Sequence, residues 1–146
     1  MSASKANTGY LSTMSVCASS PLAWTEIAEV KSIKPVSLVV GEVEVTHLLS
    51  PDALKERIPT LGDHDLVEIT GNYIADTSQQ LLEELGVART VFQFQIVAPV
   101  QGSTMTRTDT GWGFITKYGV VSLETEKPIE FAMTLRVTGV VDTVVE

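Results

Sequence analysis

A chain of 146 residues with 44% hydrophobic and 19% charged residues has the length and composition of one globular domain, well outside the disordered class. Its formal net charge of −8 disfavours tight binding to phosphate backbones or anionic membranes, and its lysines and arginines are scattered rather than gathered into a basic patch. No apolar run approaches the roughly 20 residues that span a bilayer, no compact apolar leader opens the sequence, and the single cysteine, Cys17, cannot form an internal disulfide; a soluble, cytoplasmically assembled protein without direct membrane binding is expected.

Residues 1–21 are rich in Ser, Thr, Ala and Asn, with Tyr10, Leu11, Met14 and Val16 as apolar anchors, and read as an N-terminal arm; residues 22–146 read as a single β domain. In the next segment Trp24, Ile27, Val30 and Ile33 recur at every third position. That period fits neither helix nor plain strand, and a strand carrying a bulge is expected. Pro35 interrupts it, and Ser37 to Thr46 forms a second strand in which Glu42 and Glu44 alternate with Val43 and Val45. Ser50 as N-cap, Pro51 at the first helical position, Asp52 in the first turn, and Lys55 and Arg57 in the last turn predict a short helix that Pro59 ends.

A third strand is expected from Asp65 to Ile74. Asp76 as cap, Gln79 in a capping box and Gly86 as terminator predict a second helix burying Leu81, Leu82 and Leu85. The period then changes to two, with Phe92, Phe94 and Ile96 inward and Gln93 and Gln95 outward. Pro99 to Gly111 is polar and reads either as a mobile loop or as the arms of a long hairpin. Trp112 to Lys117 and Val120 to Glu124 read as two strands around Tyr118 and Gly119. The last strand, Ile129 to Val141, places Ile129, Phe131, Met133, Leu135 and Val137 inward. Six or seven strands with one or two short helices make the fold mainly β, an antiparallel sandwich or barrel with short flanking α-helices.

Chemistry-bearing clusters are sparse. His47 and His64 have no cysteine or second histidine at ligand spacing, and Asp63, His64 and Asp65 read as a solvated turn because three consecutive residues cannot all face one ion. Gly111 and Gly113 precede strand rather than helix, so they do not form a phosphate loop. Serines 12, 15, 19 and 20 lack a paired histidine and acid. The carboxylate pairs Glu42 with Glu44 and Glu124 with Glu126 read as wet faces. Trp24, opening an apolar strand, reads as core, with exposed recognition as the alternative. No catalytic, cofactor or metal site is expected.

The order of "PLAWTEIAEVKSI", "VEVTHL", "HDLVEITGNY", "DTSQQLLEEL" and "IEFAMTLRVTG" resembles the tail tube, or major tail, proteins of long non-contractile-tailed bacteriophages. It does so through a Trp-led first strand, a proline, an acidic strand ending in Thr46, a helix with Gln79, Gln80, Leu81 and Leu82, and a closing strand from Leu135 to Gly139. That family is in turn similar to the hemolysin-coregulated tube protein of type VI secretion. The resemblance implies a β-sandwich or barrel with a flanking helix, built into stacked hexameric rings of the virion tail that conduct DNA. It also implies tape-measure, tail terminator and baseplate or tip proteins as partners. With little chain beyond Gly139, no decorating domain is expected. On this reading Tyr10, Leu11, Trp24, Pro99, Gln101, Met105 and Thr108 fall at subunit contacts, and Glu42, Glu44, Glu68, Glu124, Glu126 and Glu130 point into the lumen. A small β-rich binding or adhesin module is the alternative from another class, ahead of an unrecognised enzyme.

Overall fold

Alternation with period two over the C-terminal half of the chain sets one side of each strand into a common core, and a rolled sheet results. The computed structural model describes residues 4, 7–18, 23–101 and 104–146. In chain order the strands are β1 (Thr13–Cys17), β2 (Thr25–Glu26), β3 (Val30–Lys34), β4 (Leu38–Glu44), β5 (Arg57–His64) and β6 (Val67–Asn72). Helix α1 (Thr77–Ala88) follows, then β7 (Phe92–Gln101), β8 (Met105–Ser122) and β9 (Glu130–Val145). Seven strands form one antiparallel sheet in the order β2-β1-β7-β8-β9-β6-β3, and β4 with β5 forms a separate two-stranded ribbon. The protein is mainly β, and the main sheet curls into a half-barrel.

The curl follows from where the chain crosses between the sheet's two edges. Ile27 N–H donates to Met14 O at 2.9 Å, so the chain is still held to β1 there, while Val30 already pairs with Gly71 of β6. Three residues span at most about 10 Å, so the two edges lie that close and the sheet has rolled. The crossing turns at Glu29, which takes a left-handed φ of 60°. Gly71 makes the turn possible: a Cβ there would strike Glu29 O and come within 2.9 Å of the Phe131 ring.

Inside the roll, Met14, Val16, Ile69, Phe92, Phe94, Phe131, Met133 and Leu135 are all but fully buried, and α1 adds Leu82 and Leu85. Asp76 caps α1, its carboxylate accepting from Ser78 N–H at 2.9 Å and Ser78 Oγ at 2.6 Å. Gln79 does not complete a capping box. Its buried carboxamide accepts from Ile74 N–H at 2.9 Å and donates to Ala28 O at 3.1 Å and Asn72 O at 2.9 Å. Ser78 Oγ also accepts from Ala28 N–H at 3.1 Å, so the first turn of α1 pins the crossing at Ala28 and the end of β6 at Asn72.

Several expectations need correction. Within the arm read at residues 1–21, residues 13–17 are strand β1, in the sheet between β2 and β7, with Met14 and Val16 fully buried. Residues 1–3, 5–6 and 19–22, including Ser19, Ser20 and Pro21, lie outside the described residues. The bulged strand at 24–33 is two strands, β2 and β3, on opposite edges of the sheet. The helix expected before Pro59 is only a 3-10 turn at Pro51–Ala53, because Asp52 and Ala53 sit at φ of 55° and 56°, outside helical space; the chain from Arg57 is strand. Pro59 is tolerated where β5 has a partner on one side only.

Gly86 does not end α1. It lies where the helix meets β8, 3.5 Å from Ile115 for an added Cβ, and the helix runs on to a left-handed cap at Arg89. Pro99 to Gly111 forms the two arms of the β7–β8 hairpin, and residues 102–103 lie outside the described residues. Tyr118 and Gly119 do not break β8, which bends through register shifts instead. Trp24 is 38% exposed rather than core, and Ile129 is exposed rather than inward.

Replacing Gln79 by leucine keeps the volume and strips three backbone groups of their partner. We expect a loss of about 3 kcal/mol, seen as a fall of roughly 10 °C in Tm. Asp76 supplies a second prediction. The Ser78 hydroxyl first, and the Ser78 amide second, hold its carboxyl below the ordinary value of 3.8. A carboxylate depressed in the folded state stabilises above its unfolded pKa and loses that contribution as pH falls through the folded one. The Tm advantage of the wild type over Asp76→Asn should therefore shrink as pH falls below 3.8.

Candidate assembly surfaces

The β4–β5 ribbon leaves the rolled sheet and packs on almost nothing. Every residue from 37 to 63 except Ser50 and Glu56 is exposed. Leu38 and Val40 lean over Gly62 from one face of the ribbon, reaching 3.4 Å and 3.8 Å from where a Cβ would stand. Val39, opposite Asp63, lies on the other face. At the tip Leu48 is fully exposed and Leu49 is 86% exposed.

The tip is nevertheless ordered by polar bonds. Glu56 carboxylate accepts from Ser50 Oγ at 2.8 Å and lies 3.4 Å from His47 Nε2, while Ser50 Oγ accepts from His47 N–H at 2.9 Å. Leu49 N–H donates to His47 Nδ1 at 3.1 Å, which leaves Nε2–H directed at Glu56. Glu56 N–H and Thr46 Oγ1 close the neck at 2.9 Å. The leucines are thus presented on a fixed loop with their apolar surface in water.

A second surface lies where the rolled sheet fails to close. A cleft of about 830 Å³ separates the start of β1 from β3, lined by Tyr10, Leu11, Val30, Ile33 and Pro35 among others. Edge strands with unpaired backbone groups are templates for further pairing.

The residues expected at subunit contacts occupy three places. Tyr10 and Leu11 line the cleft and are 77% and 71% exposed. Trp24 stands beside the β2 edge. Pro99, Gln101 and Met105 sit at the end of the β7–β8 hairpin, and Thr108 is on the outward face of β8, opposite Val97.

The six acidic residues are dispersed likewise. Glu42 and Glu44 are on the ribbon, and Glu124 and Glu126 on the turn between β8 and β9. Glu68 and Glu130 are on the outward face of the main sheet. Glu42 lies 3.6 Å from Arg57, Glu124 3.4 Å from Lys127, and Glu130 2.6 Å from Lys31. The Lys31 hydrogen bond, then its charge, holds the Glu130 carboxyl below its ordinary value.

Among the described residues no three His, Cys, Asp or Glu side chains come together as a metal site. Asp63 and Asp65 instead accept from the backbone of His64 and Leu66, and Asp65 pairs with Lys34 at 3.3 Å.

The chain covers 95% of itself and 99% of a subunit in the tail of an empty gene transfer agent particle, refined with C6 symmetry, at a TM-score of 0.78 and 15% identity. This is the tail tube fold. A chain of the anti-feeding prophage baseplate superposes over 100% of this protein and 97% of its own length, with a TM-score of 0.73 and 10% identity. The SPP1 tail tube protein matches 92% of this chain and 77% of its own, with a TM-score of 0.66 and 18% identity. No protein-family model matches the sequence, nor does any curated protein sequence.

The ribbon is the feature that sequence reading missed. Its signal was present in Val39, Val40, Val43, Val45, Leu48 and Leu49, an apolar set too long to belong to one face of a short strand. Because Leu48 and Leu49 bury nothing within the subunit, we expect their joint replacement by serine to leave the unfolding free energy within about 0.5 kcal/mol of wild type in dilute monomer, measured by urea denaturation.

Proposed function

We propose that this chain is a structural subunit of a phage-type tail tube, self-assembling into stacked six-membered rings that conduct DNA, with no enzymatic role. The observation that carries this reading is the β4–β5 ribbon, an ordered, solvent-stranded apolar projection on a tail tube fold. A monomer gains nothing from such a projection, whereas a second copy can bury it. Ribbon and open sheet edges lie on different parts of the surface, so contacts between them are heterologous and propagate as rings and stacks rather than closing as a two-fold dimer. The gene transfer agent tail, with its C6 symmetry, supports the ring size.

In this reading Tyr10, Leu11 and Trp24 at the sheet edges, and Pro99, Gln101, Met105 and Thr108 along the β7–β8 hairpin, meet neighbouring subunits. The six carboxylates contribute negative charge to the tube. The tube forms in the host cytoplasm, belongs to the virion tail, and meets tape-measure, terminator and baseplate proteins along its length.

Concentrated purified protein is expected to form rings or tubes with six-fold end views in negative-stain microscopy. A chain that stays monomeric at all concentrations would instead behave as a binding module. Leu48→Ser with Leu49→Ser should raise the concentration required for assembly by tenfold or more, the equivalent of about 1.4 kcal/mol per subunit. Assembly at the wild-type concentration would remove the ribbon from the account.

A further inference from the structure

The outward face of β1, of β7 and of β8 as far as Phe114 carries no charge. Register sets Ser15 beside Gln95 and Gln95 beside Thr110, while Gln93 opposes Trp112 and Trp112 opposes Thr138 of β9. From residues 13–15 of β1, through 93–95 of β7, to 110–114 of β8, no Asp, Glu, Lys, Arg or His alternates outward. The sequence holds 10 Lys and Arg and 18 Asp and Glu. Charge resumes at the borders of the band, with Glu26 on β2, Lys117 further along β8, and Arg136 and Asp142 on β9. The opposite face of the same strands is the core; on the band Trp112 is exposed, and Thr13, Ser15, Gln93, Gln95, Thr110 and Phe114 are half-buried.

Two uses of such a face can be weighed physically. Burying it against another copy would remove water from a row of hydroxyls and carboxamides, each costing free energy unless it finds a partner. The large exposed apolar side chains that would offset that cost are concentrated on the ribbon, and only Trp112 of the band is comparably large and exposed. A passing polyanion imposes different demands. Lysine or arginine on the wall would hold phosphates by counterion release. A dense run of unpaired carboxylates would oppose entry. Hydroxyls and amides keep a hydration layer and do neither. Three of the six carboxylates expected in the lumen, Glu42, Glu124 and Glu130, have a cation within 3.6 Å, which lowers the charge they would offer to a wall.

We propose that this charge-free Ser, Thr and Gln band is the wall past which duplex DNA slides in the assembled tube. The proposal rests on the tail tube reading and adds to it which surface faces the channel. It is tested on tubes assembled from Gln95→Cys and Thr110→Cys, labelled with biotin maleimide and then probed with streptavidin, against wild-type tubes carrying only the buried Cys17. Channel-facing positions take the small reagent at several times the wild-type level, yet bind streptavidin only after the tubes are dissociated.

Streptavidin binding on intact tubes would put the band outside and overturn the proposal. So would the absence of labelling, or failure of both variants to assemble, since either places the band in a contact between copies. Absence of tubes from the wild-type chain would instead overturn the tail tube reading itself. A second measurement follows the chemistry: Gln95→Lys with Thr110→Lys tubes should retain about tenfold more short duplex DNA than wild type at low salt, and lose it at high salt. Equal retention would contradict the assignment.

Discussion

The buried carboxamide of Gln79 holds the rolled sheet in shape. It bonds Ala28 where the chain crosses between the sheet's edges, Asn72 at the end of β6, and Ile74 on the way into α1. Without that junction the crossing from β1 to β3 would keep only the Ser78 bond to Ala28 N–H and the bonds of Asn72 to Glu29. With it, α1 is drawn against the inner side of β8, and Leu82 and Leu85 complete the core. A polar side chain this deep is stable because both ends of its amide are satisfied. The rest of the fold inherits that geometry, since the position of the crossing decides how far the sheet curls and how wide the cleft beside β3 remains.

What the roll cannot accommodate is the segment between β3 and β6. Both of those strands are neighbours in the main sheet, so the chain between them must leave the sheet and return. It does so as the β4–β5 ribbon. A two-stranded ribbon has no third layer to cover it and is marginal alone; here side-chain bonds around Glu56 fix its tip. A buried core and an uncovered projection thus stand side by side in one chain. Exposed apolar side chains are dense on that arm, and others stand at the cleft beside β1, at Trp112 and around the β8–β9 turn.

Much of this was legible in the sequence wherever one periodicity ruled. Phe92, Phe94 and Ile96, and Phe131, Met133, Leu135 and Val137, alternate cleanly and are all buried. Asp76 is the cap that its position before the helix suggests. Legibility failed where local chemistry and tertiary demand disagreed. Ser50, Pro51 and Asp52 carry helix-start signals, but no core lies beside them to reward a helix, and the chain returns as strand. Gly86 has the composition of a helix stop, yet serves to bring α1 close to Ile115. Met14 and Val16 were too few to declare a strand in a polar segment, and only pairing with β7 makes them core. The three-residue repeat of Trp24, Ile27, Val30 and Ile33 fitted no single element because it spans two edges of one sheet. The assembly surfaces were the least legible, since an exposed leucine and a buried one look alike in a sequence.

In the proposed assembly a second copy covers the ribbon that the monomer leaves in water. Hydrogen exchange of the β4 and β5 amides, measured on dilute monomer and on the assembled form of the same preparation, addresses it directly. Rapid exchange is expected across residues 38–44 and 57–64 in the monomer, well ahead of β7 and β9, with strong protection of both stretches on assembly. Exchange at the same rate in the two states, or protection equal to that of β7 in the monomer, would contradict it.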